Sequence, residues 1–449
     1  MERFEDVVAA VLERVEPDAD ERAHLRRVGD ELVERTEEAV ARLPVEADVK
    51  RVGSTARGTW VSGDRDIDLF VRFPPDVDRA TLESYGLEVG HAVLPDGHEE
   101  FAEHPYVKGE FEGFDVDLVP CYRVESASAI QSAVDRTPFH TRYLEARLDD
   151  ELAREVLLFK QFLKGIGAYG SDLRTRGFSG YLTELLVLEF GGFRDLLEAA
   201  AEWHPPVRFD PEDHGTRSFD DPLAVVDPTD PERNVAAVLS AENVARLQHY
   251  ARDLLAEPRE SLFFPDPPAP LAPADVREFV AERGTAPVAL RFDAPDVVDD
   301  QLYPQLQKSL SGVEDVLDRR GFEVLRAELF ADDAAALFFE LAVAERPTVE
   351  RHDGPPVHVR SHAGGFYEKY ADSDAYGPFI DGDRYVVERE REFTTAVEYL
   401  ESDAVFDAAL GVRVETAMAD GYEVLSGDEV GTLAEEFGVE LARYFDPTP

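Results

Sequence analysis

The chain has 449 residues, with 46 Lys and Arg against 95 Asp and Glu, a formal net charge of −49, and 44% hydrophobic residues. Roughly 150 residues per domain points to two to four domains, and the recurring Val, Leu and Phe exclude an acidic disordered chain. Cys121, the lone cysteine, rules out intramolecular disulfides and Cys-based metal motifs and reads as a buried small hydrophobe. The acidic, amphipathic start MERFEDVVAAVLERVEPDADE is not a signal peptide, and no window approaches the ~20 apolar residues of a membrane span, so a cytoplasmic location is expected. Lysine stands only at positions 50, 108, 160, 164, 308 and 369. An acidic, Lys-poor globular chain fits a salt-loaded cytoplasm, where self-repulsion is screened over ~3 Å at 1 M salt.

Apolar residues at helical spacing predict helices over Phe4 to Val15 and Glu21 to Leu43, separated by Pro17. Val45 to Val52 and Asp66 to Phe73 read as strands, Thr81 to Leu94 as a helix, and Tyr106 to Tyr122 as a hairpin about Glu112-Gly113. Mixed elements of this kind argue for a small α/β or α+β domain to about residue 140. Tyr143 to Leu255 reads as mainly helical, interrupted by an acidic, Pro-rich loop around Pro205 to Pro222, and Phe263 to Val276 as a proline-rich linker. Beyond it PVALRF, the helical Leu302 to Arg320, the strand-like ALFFELAVA and a last helical region from Ser402 describe an α+β portion.

The stretch GSTARGTWVSGDRDIDLF, Gly53 to Phe70, sets aspartates at the start of a strand built for a core. Asp66 and Asp68 share one face of that strand while Ile67 and Leu69 point inward. Two carboxylates so close repel, and one takes up a proton unless a divalent cation lies between them. In so acidic a chain such a pair proves little alone, and a solvated strand edge is the plain alternative. The preceding Gly53-Ser54 turn exposes N–H groups and a hydroxyl suited to a phosphate, Arg57 adds a cationic fork, and Asp117 in FDVDLVPCY supplies a third carboxylate. A phosphate cradle with three carboxylates on adjacent strands is what two-metal phosphoryl transfer requires, with two Mg²⁺ ions at Asp66, Asp68 and Asp117. Asp64 and Asp115 are expected to be solvated neighbours.

Gly-Ser, a spacer, Asp-x-Asp and a later strand Asp resemble the nucleotidyltransferase superfamily of DNA polymerase β. The ordered segments VGSTARGTW, AEHPYVKGEFEG, DVDLVPCY, SAVDRTPFHTRYL, LLFKQFLKGIGAYG, RGFSGYLTELL, DPTDPERNVAA and DVVDDQLYPQL resemble, more narrowly, the archaeal class I CCA-adding tRNA nucleotidyltransferases, from about residue 46 to 400. The resemblance implies a multidomain α/β and α+β chain: a polymerase β-like catalytic head over 1–142, a helical central domain over 143–262, and an α+β tRNA-binding body with a helical tail over 263–449. It implies that Asp66, Asp68 and Asp117 hold Mg²⁺, that Gly53, Ser54 and Arg57 meet the nucleotide, and that His140, Lys160 and Tyr169 contact triphosphate and ribose. Read alone, His140 is equally a hydrogen-bonded histidine at a helix start and Tyr169 a core tyrosine, whereas Lys160 gains weight from the rarity of lysine.

The reaction so implied is addition of C, C and A to the tRNA 3′ end from CTP and ATP, with a homodimer as a further implication of the resemblance. Without a template, protein groups must read the bases, and Arg233 oriented by Asp227 is the expected pair; a helix-capping loop is the alternative there. Arg174 and Arg176 are expected along the acceptor-end path or in surface ion pairs. Against the global negative charge, Arg136-Arg142-Arg147 and Arg351-Arg360-Lys369 are expected to act as local basic islands for tRNA. A poly(A) polymerase or small-molecule nucleotidyltransferase would share the carboxylates, though the length and DVVDDQLYPQL argue against the latter. A non-catalytic RNA-binding protein on the same fold is opposed by the complete aspartate set.

Overall fold

A computed structural model describes residues 3–449, which divide into two compact units, one running to Asp266 and including Pro449, the other spanning 267–448. In the first unit α1 (Phe4–Val15) and α2 (Ala19–Val40) are set off by Asp18, whose carboxylate accepts from the Asp20 and Glu21 amides while Glu21 reaches back to the Asp18 amide. That reciprocal cap satisfies orphan donors at the start of α2. Then follow β1 (Asp48–Val52), the short α3 (Gly53–Arg57), β2 (Asp66–Phe73), α4 (Arg79–Val93), β3 (His98–Phe101), β4 (Pro105–Phe111) and β5 (Phe114–Tyr122).

These five strands form one sheet in the order β1-β2-β5-β4-β3, with the central β2 and β5 parallel and the outer pairings antiparallel. Ile67, Leu69, Val71, Val116 and Leu118 pack with Leu25, Val28 and Leu32 of α2 and Leu82, Val89 and Val93 of α4. Apolar side chains at every second position are what one buried sheet face demands, so the intervening Asp66, Asp68 and Asp117 face the other way.

The helical part comprises α5 (Thr137–Glu145), α6 (Asp150–Gly165), α7 (Gly180–Phe190), α8 (Phe193–Ala201) and α9 (Ala241–Ala256), with β6 (Val207–Phe209), β7 (Leu223–Asp227) and β8 (Asp230–Asn234) inserted as a small sheet. Leu158, Phe159 and Phe162 of α6, Leu182 and Leu186 of α7 and Leu196 of α8 close its core, and α1 joins it through Val7, Val11 and Val15.

In the second unit α10 (Pro273–Arg283), β9 (Ala286–Asp293), α11 (Asp299–Arg320), β10 (Val324–Ala331) and β11 (Ala334–Leu341) lead to a smaller sheet of β12 (Val349–Pro356), β13 (Tyr376–Asp381) and β14 (Arg384–Glu390) with α12 (Arg360–Tyr370). The chain continues through α13 (Ala396–Leu400), α14 (Val412–Asp420), β15 (Tyr422–Ser426) and α15 (Ala434–Phe445). The main sheet, ordered β10-β11-β9-β15, is covered on both faces. Leu337 and Phe339 pack against Leu306, Leu310 and Val313 of α11, whereas Ala336 and Phe338 pack with Val276 of α10 and Phe437 and Leu441 of α15. This explains the unbroken burial of β11.

Four expectations change. Gly53-Ser54 is not a free turn but the first residues of α3, with Gly53 at φ 77°. The segment holding Asp227 and Arg233 is a hairpin, not a helix-capping loop, because the buried LAVVD run pairs β7 with β8. The proline-rich linker ends where Pro273 opens α10, a position where a missing N–H costs nothing. The region after Ser402 contains β15, which pairs with β9. Cys121 is buried as expected, and no helix among the described residues is long and apolar enough to cross a membrane.

Phe338 and Phe339 are both fully buried on opposite faces of β11. Each Phe→Ala change is expected to cost about 3–5 kcal/mol, read by chemical denaturation of the full chain in molar KCl; a loss below about 1 kcal/mol for either would contradict the two-faced packing.

Candidate active site

The parallel register sets Asp66 opposite Asp115 and Asp68 opposite Asp117. Asp66 and Asp115 lie at the exposed strand entrances, and Asp68 and Asp117 one step deeper, half-buried. Burial, then the charges of Asp117 and Asp66, push the Asp68 carboxyl up to about 6. Burial also raises Asp66, with Asp64 and Asp115 adding to it, and raises Asp117 against the opposing pull of Lys108. Asp117 Oδ1 is buried without a hydrogen bond, with Lys108 Nζ 3.7 Å away. A Cβ at Gly53 would fall 1.9 Å from Asp68 Oδ2, so α3 begins directly against that carboxylate. Among the described residues no three His, Cys, Asp or Glu side chains form a group that could hold a metal ion as the side chains stand. The donor set nevertheless fits one: hard oxygens on adjacent strands, mutually repelling, one buried oxygen without a hydrogen bond.

Asp64 is not a solvated neighbour. Its Oδ2 lies 3.2 Å from Lys160 Nζ and its Oδ1 2.8 Å from Lys164 Nζ. Burial works against its ionisation, but the charge of Lys160 and the bond and charge of Lys164 win and hold the carboxyl below its ordinary range. Lys160 is buried in α6, also 3.5 Å from the Thr59 carbonyl, and both lysines lie over the Tyr169 ring at 5.5 and 5.6 Å. Burial pushes the Tyr169 hydroxyl well above the usual phenol range, so it stays protonated. Asp115 is exposed, as expected.

Arg57 does not stand free. Its Nε and Nη2 donate to Glu184 Oε1 and Oε2 at 2.9 and 2.7 Å, and its Nη1 to Thr141 Oγ1 at 3.2 Å. Thr59 Oγ1 donates to the same Glu184. His140 Nε2 lies 2.8 Å from Asp227 Oδ2, and its ring stacks on Tyr181 with centroids 3.9 Å apart. Arg233 Nη1 donates to the same oxygen of Asp227 at 2.8 Å, and the Thr229 amide and hydroxyl fill Oδ1. Burial opposes the Asp227 charge, but these bonds, led by His140, hold its carboxyl far below the usual range. Burial lowers the His140 imidazole despite the pull of Asp227. Asp227 thus fixes His140 and Arg233 together at the end of β7.

Two groups therefore form in the first unit: Asp66, Asp68 and Asp117 with Gly53 and Ser54 at the sheet, and His140, Asp227 and Arg233 between α5 and the hairpin. The sequence reading missed Lys164, Tyr181 and Glu184, although Lys164 shared the rarity that singled out Lys160. Half of the residues of the expected basic islands are engaged by carboxylates. Arg136 pairs with Asp230 and Arg147 with Glu212, while in the second unit Arg351 meets Asp353 and Asp381. With 95 acidic residues for 46 basic ones, most arginines find a carboxylate. Arg176 adopts a left-handed φ of 50°, and its carbonyl accepts from Ser240 and Asn243.

Residues 33–140, which include the paired strand aspartates, match the nucleotidyltransferase domain family, and the chain is a nucleotidyltransferase. Residues 154–264 match the second domain of tRNA nucleotidyltransferases, and 283–427 the C-terminal domain of CCA-adding enzymes. The chain is 66% identical to the CCA-adding enzyme of Haloarcula marismortui and 65% identical to that of Halorubrum lacusprofundi, over 100% of each chain. It is 40% identical to that of Methanosarcina barkeri over 98% of both. The chain belongs to the CCA-adding enzyme family.

Two outcomes are expected at the carboxylates. Because Asp68 titrates higher folded than unfolded, its charge destabilises the metal-free protein above about pH 6, and the penalty fades as pH falls toward 4. Asp68→Asn is therefore expected to stabilise the protein in EDTA at pH 8 by on the order of 2–3 kcal/mol, with no gain near pH 4; equal midpoints at pH 8 would contradict the shift. Gly53→Ala, which drives a Cβ onto Asp68 at a positive φ, is expected to lower nucleotide addition at least tenfold, in a primer-extension assay.

Proposed function

We propose that the chain completes the 3′ end of tRNA by adding C, C and A from CTP and ATP, working in the cytoplasm on tRNA. The 3′-hydroxyl attacks the nucleotide α-phosphorus and pyrophosphate leaves. Family membership carries the activity, and the observation that ties it to residues is the parallel register of Asp68 with Asp117 beside Asp66.

Asp66, Asp68 and Asp117 would hold the Mg²⁺ ions. Bound there, the ions supply neutralising charge to the attacking and leaving oxygens. The protein's share is positioning and charge placement. Gly53 abuts the Asp68 carboxylate, and Gly53 and Ser54 bind the nucleotide's phosphates together with Arg57 and Lys160. Asp64 holds Lys160 and Lys164 in place until the phosphate tail arrives. Tyr169, a neutral ring beneath both lysines, closes the site on the ribose side. His140, fixed by Asp227 and the Tyr181 ring, supplies a further hydrogen bond to the nucleotide. Arg233 is held by one nitrogen to Asp227, which leaves its remaining N–H groups for the acceptor edges of either C or A.

The C-terminal unit would grip the tRNA by shape and backbone contact. Since so many arginines are already paired, binding is expected to depend on salt less steeply than for a protein that neutralises six to ten phosphates. A homodimer belongs to the same reading and is checked by sedimentation of the full chain.

The deciding experiment incubates the protein in molar KCl with Mg²⁺, CTP, ATP and a tRNA transcript ending before its CCA, and sequences the 3′ ends. Ends that gain CCA and stop are expected; runs of A would identify a poly(A) polymerase instead, and no extension at any salt would leave only RNA binding. Asp→Asn at 66, 68 or 117 is expected to lower extension more than a hundredfold while tRNA affinity changes less than about threefold. Arg233→Ala is expected to degrade the order of incorporation, so that misincorporated ends appear in the same sequencing.

A further inference from the structure

We propose that Glu184 is a positioning residue for nucleotide addition, aiming the Arg57 guanidinium and holding α3 against the catalytic aspartates. The inference rests on the reading that Arg57 meets the incoming nucleotide.

Glu184 lies in the middle of α7 with its side chain 2% exposed, and that of Arg57 is 8% exposed. Burying an ion pair removes both charges from water, and a well-packed apolar pair of the same volume is often as stable or more so. Stability alone therefore gives a weak reason for placing a carboxylate there. Geometry gives a stronger one. Arg57 donates to Glu184 through Nε and Nη2, a fork that fixes the plane of the guanidinium as well as its position. Thr141 takes one hydrogen of Nη1. Of the five N–H groups of an arginine, three are thus used, and one on each terminal nitrogen is left for phosphate oxygens. Thr59, just beyond α3, donates to the same carboxylate, so the segment is held at a second point.

The hold is transmitted along α3. Arg57 ends this five-residue helix and Gly53 begins it, with no room for even a Cβ between Gly53 and Asp68. A shift at the Glu184 end therefore moves the other end against a catalytic carboxylate. One turn earlier on α7, Tyr181 stacks on His140, whose ring nitrogen meets Asp227. A single helix thus supports both the residues proposed to hold phosphate and those proposed to read the base.

The test compares Glu184→Gln, Arg57→Gln and the double variant for CTP and ATP addition at saturating tRNA, together with melting temperature and tRNA affinity. Glu184→Gln is expected to raise KM for both nucleotides about tenfold, with tRNA affinity kept. The double variant is expected to be no worse than Arg57→Gln alone and to regain the melting temperature lost when the buried guanidinium has no counter-charge. Unchanged KM in Glu184→Gln, or losses that multiply in the double variant, would overturn the inference while leaving the nucleotide-binding reading intact if Arg57→Gln itself raises KM. Unchanged KM in Arg57→Gln would remove both. Should Glu184→Gln not fold in molar KCl, Arg57→Lys, which keeps the charge but loses the fork, gives the comparison: raised nucleotide KM supports the inference and unchanged KM overturns it.

Discussion

Like charges forced together on a rigid sheet are the constraint around which the first unit is organised. Strands β2 and β5 run parallel in the middle of their sheet, and their register sets Asp68 beside Asp117 and Asp66 beside Asp115. Neither strand can slip to relieve the repulsion, because a one-residue slip would turn Ile67, Leu69, Val116 and Leu118 out of the core. Hydrophobic burial on one face is what maintains electrostatic tension on the other. All three aspartates titrate high, first because they are buried and then because of the neighbouring carboxylates, and a cation is the natural relief.

Around the aspartates, several buried charges are matched by partners of the opposite sign. Asp64 is shared by two lysines, Arg57 is met by Glu184, and Asp227 is covered by His140, Arg233 and Thr229. Apart from Arg233 and Thr229, which share a hairpin with Asp227, these partners join elements distant in sequence: the α3–β2 loop to α6, α3 to α7, α5 to the β7–β8 hairpin. In a chain with a net charge of −49 this pairing has a second effect, since many of the 46 basic residues are already held by carboxylates of the same chain. Attraction for a polyanion must then arise from local groups rather than from the field of the whole molecule.

How far the sequence discloses this varies with the physics of each element. Strand β2 runs from Asp66 to Phe73, the predicted bounds, because Ile67, Leu69, Val71 and Phe73 alternate into one core face, while Phe70 is buried on the other with Val52, Val119 and Cys121. The hairpin about Glu112-Gly113 is legible for the same reason, and Glu112 and Gly113 both adopt positive φ. Strands β6 to β8 are not, being three to five residues long and interleaved with Pro and Asp, whose local preferences point to loops. The juxtaposition of the three aspartates is legible from spacing with the Gly-Ser signal, whereas Asp64 reads as a solvated neighbour because nothing local in the sequence announces the two lysines about a hundred residues on that hold it. Glu184 could not be found at all: Glu189 on the same helix is exposed while Glu184 is buried, and periodicity does not separate them in a helix apolar nearly all round.

Helix α7 begins at a Ser179 cap, presents Tyr181 on its first turn and Glu184 on the next, and stops at Gly191 in a left-handed conformation. Its two working residues are three apart, so each keeps its direction only while the count of residues from the cap is preserved. One residue gained or lost between Ser179 and Tyr181 would rotate everything downstream by about 100°, withdrawing the ring from His140 and the carboxylate from Arg57 in the same stroke. The helix therefore tolerates exchange of side chains on its outer surface far better than any change in its length. In evolutionary terms this stretch is expected to drift by substitution and never by insertion.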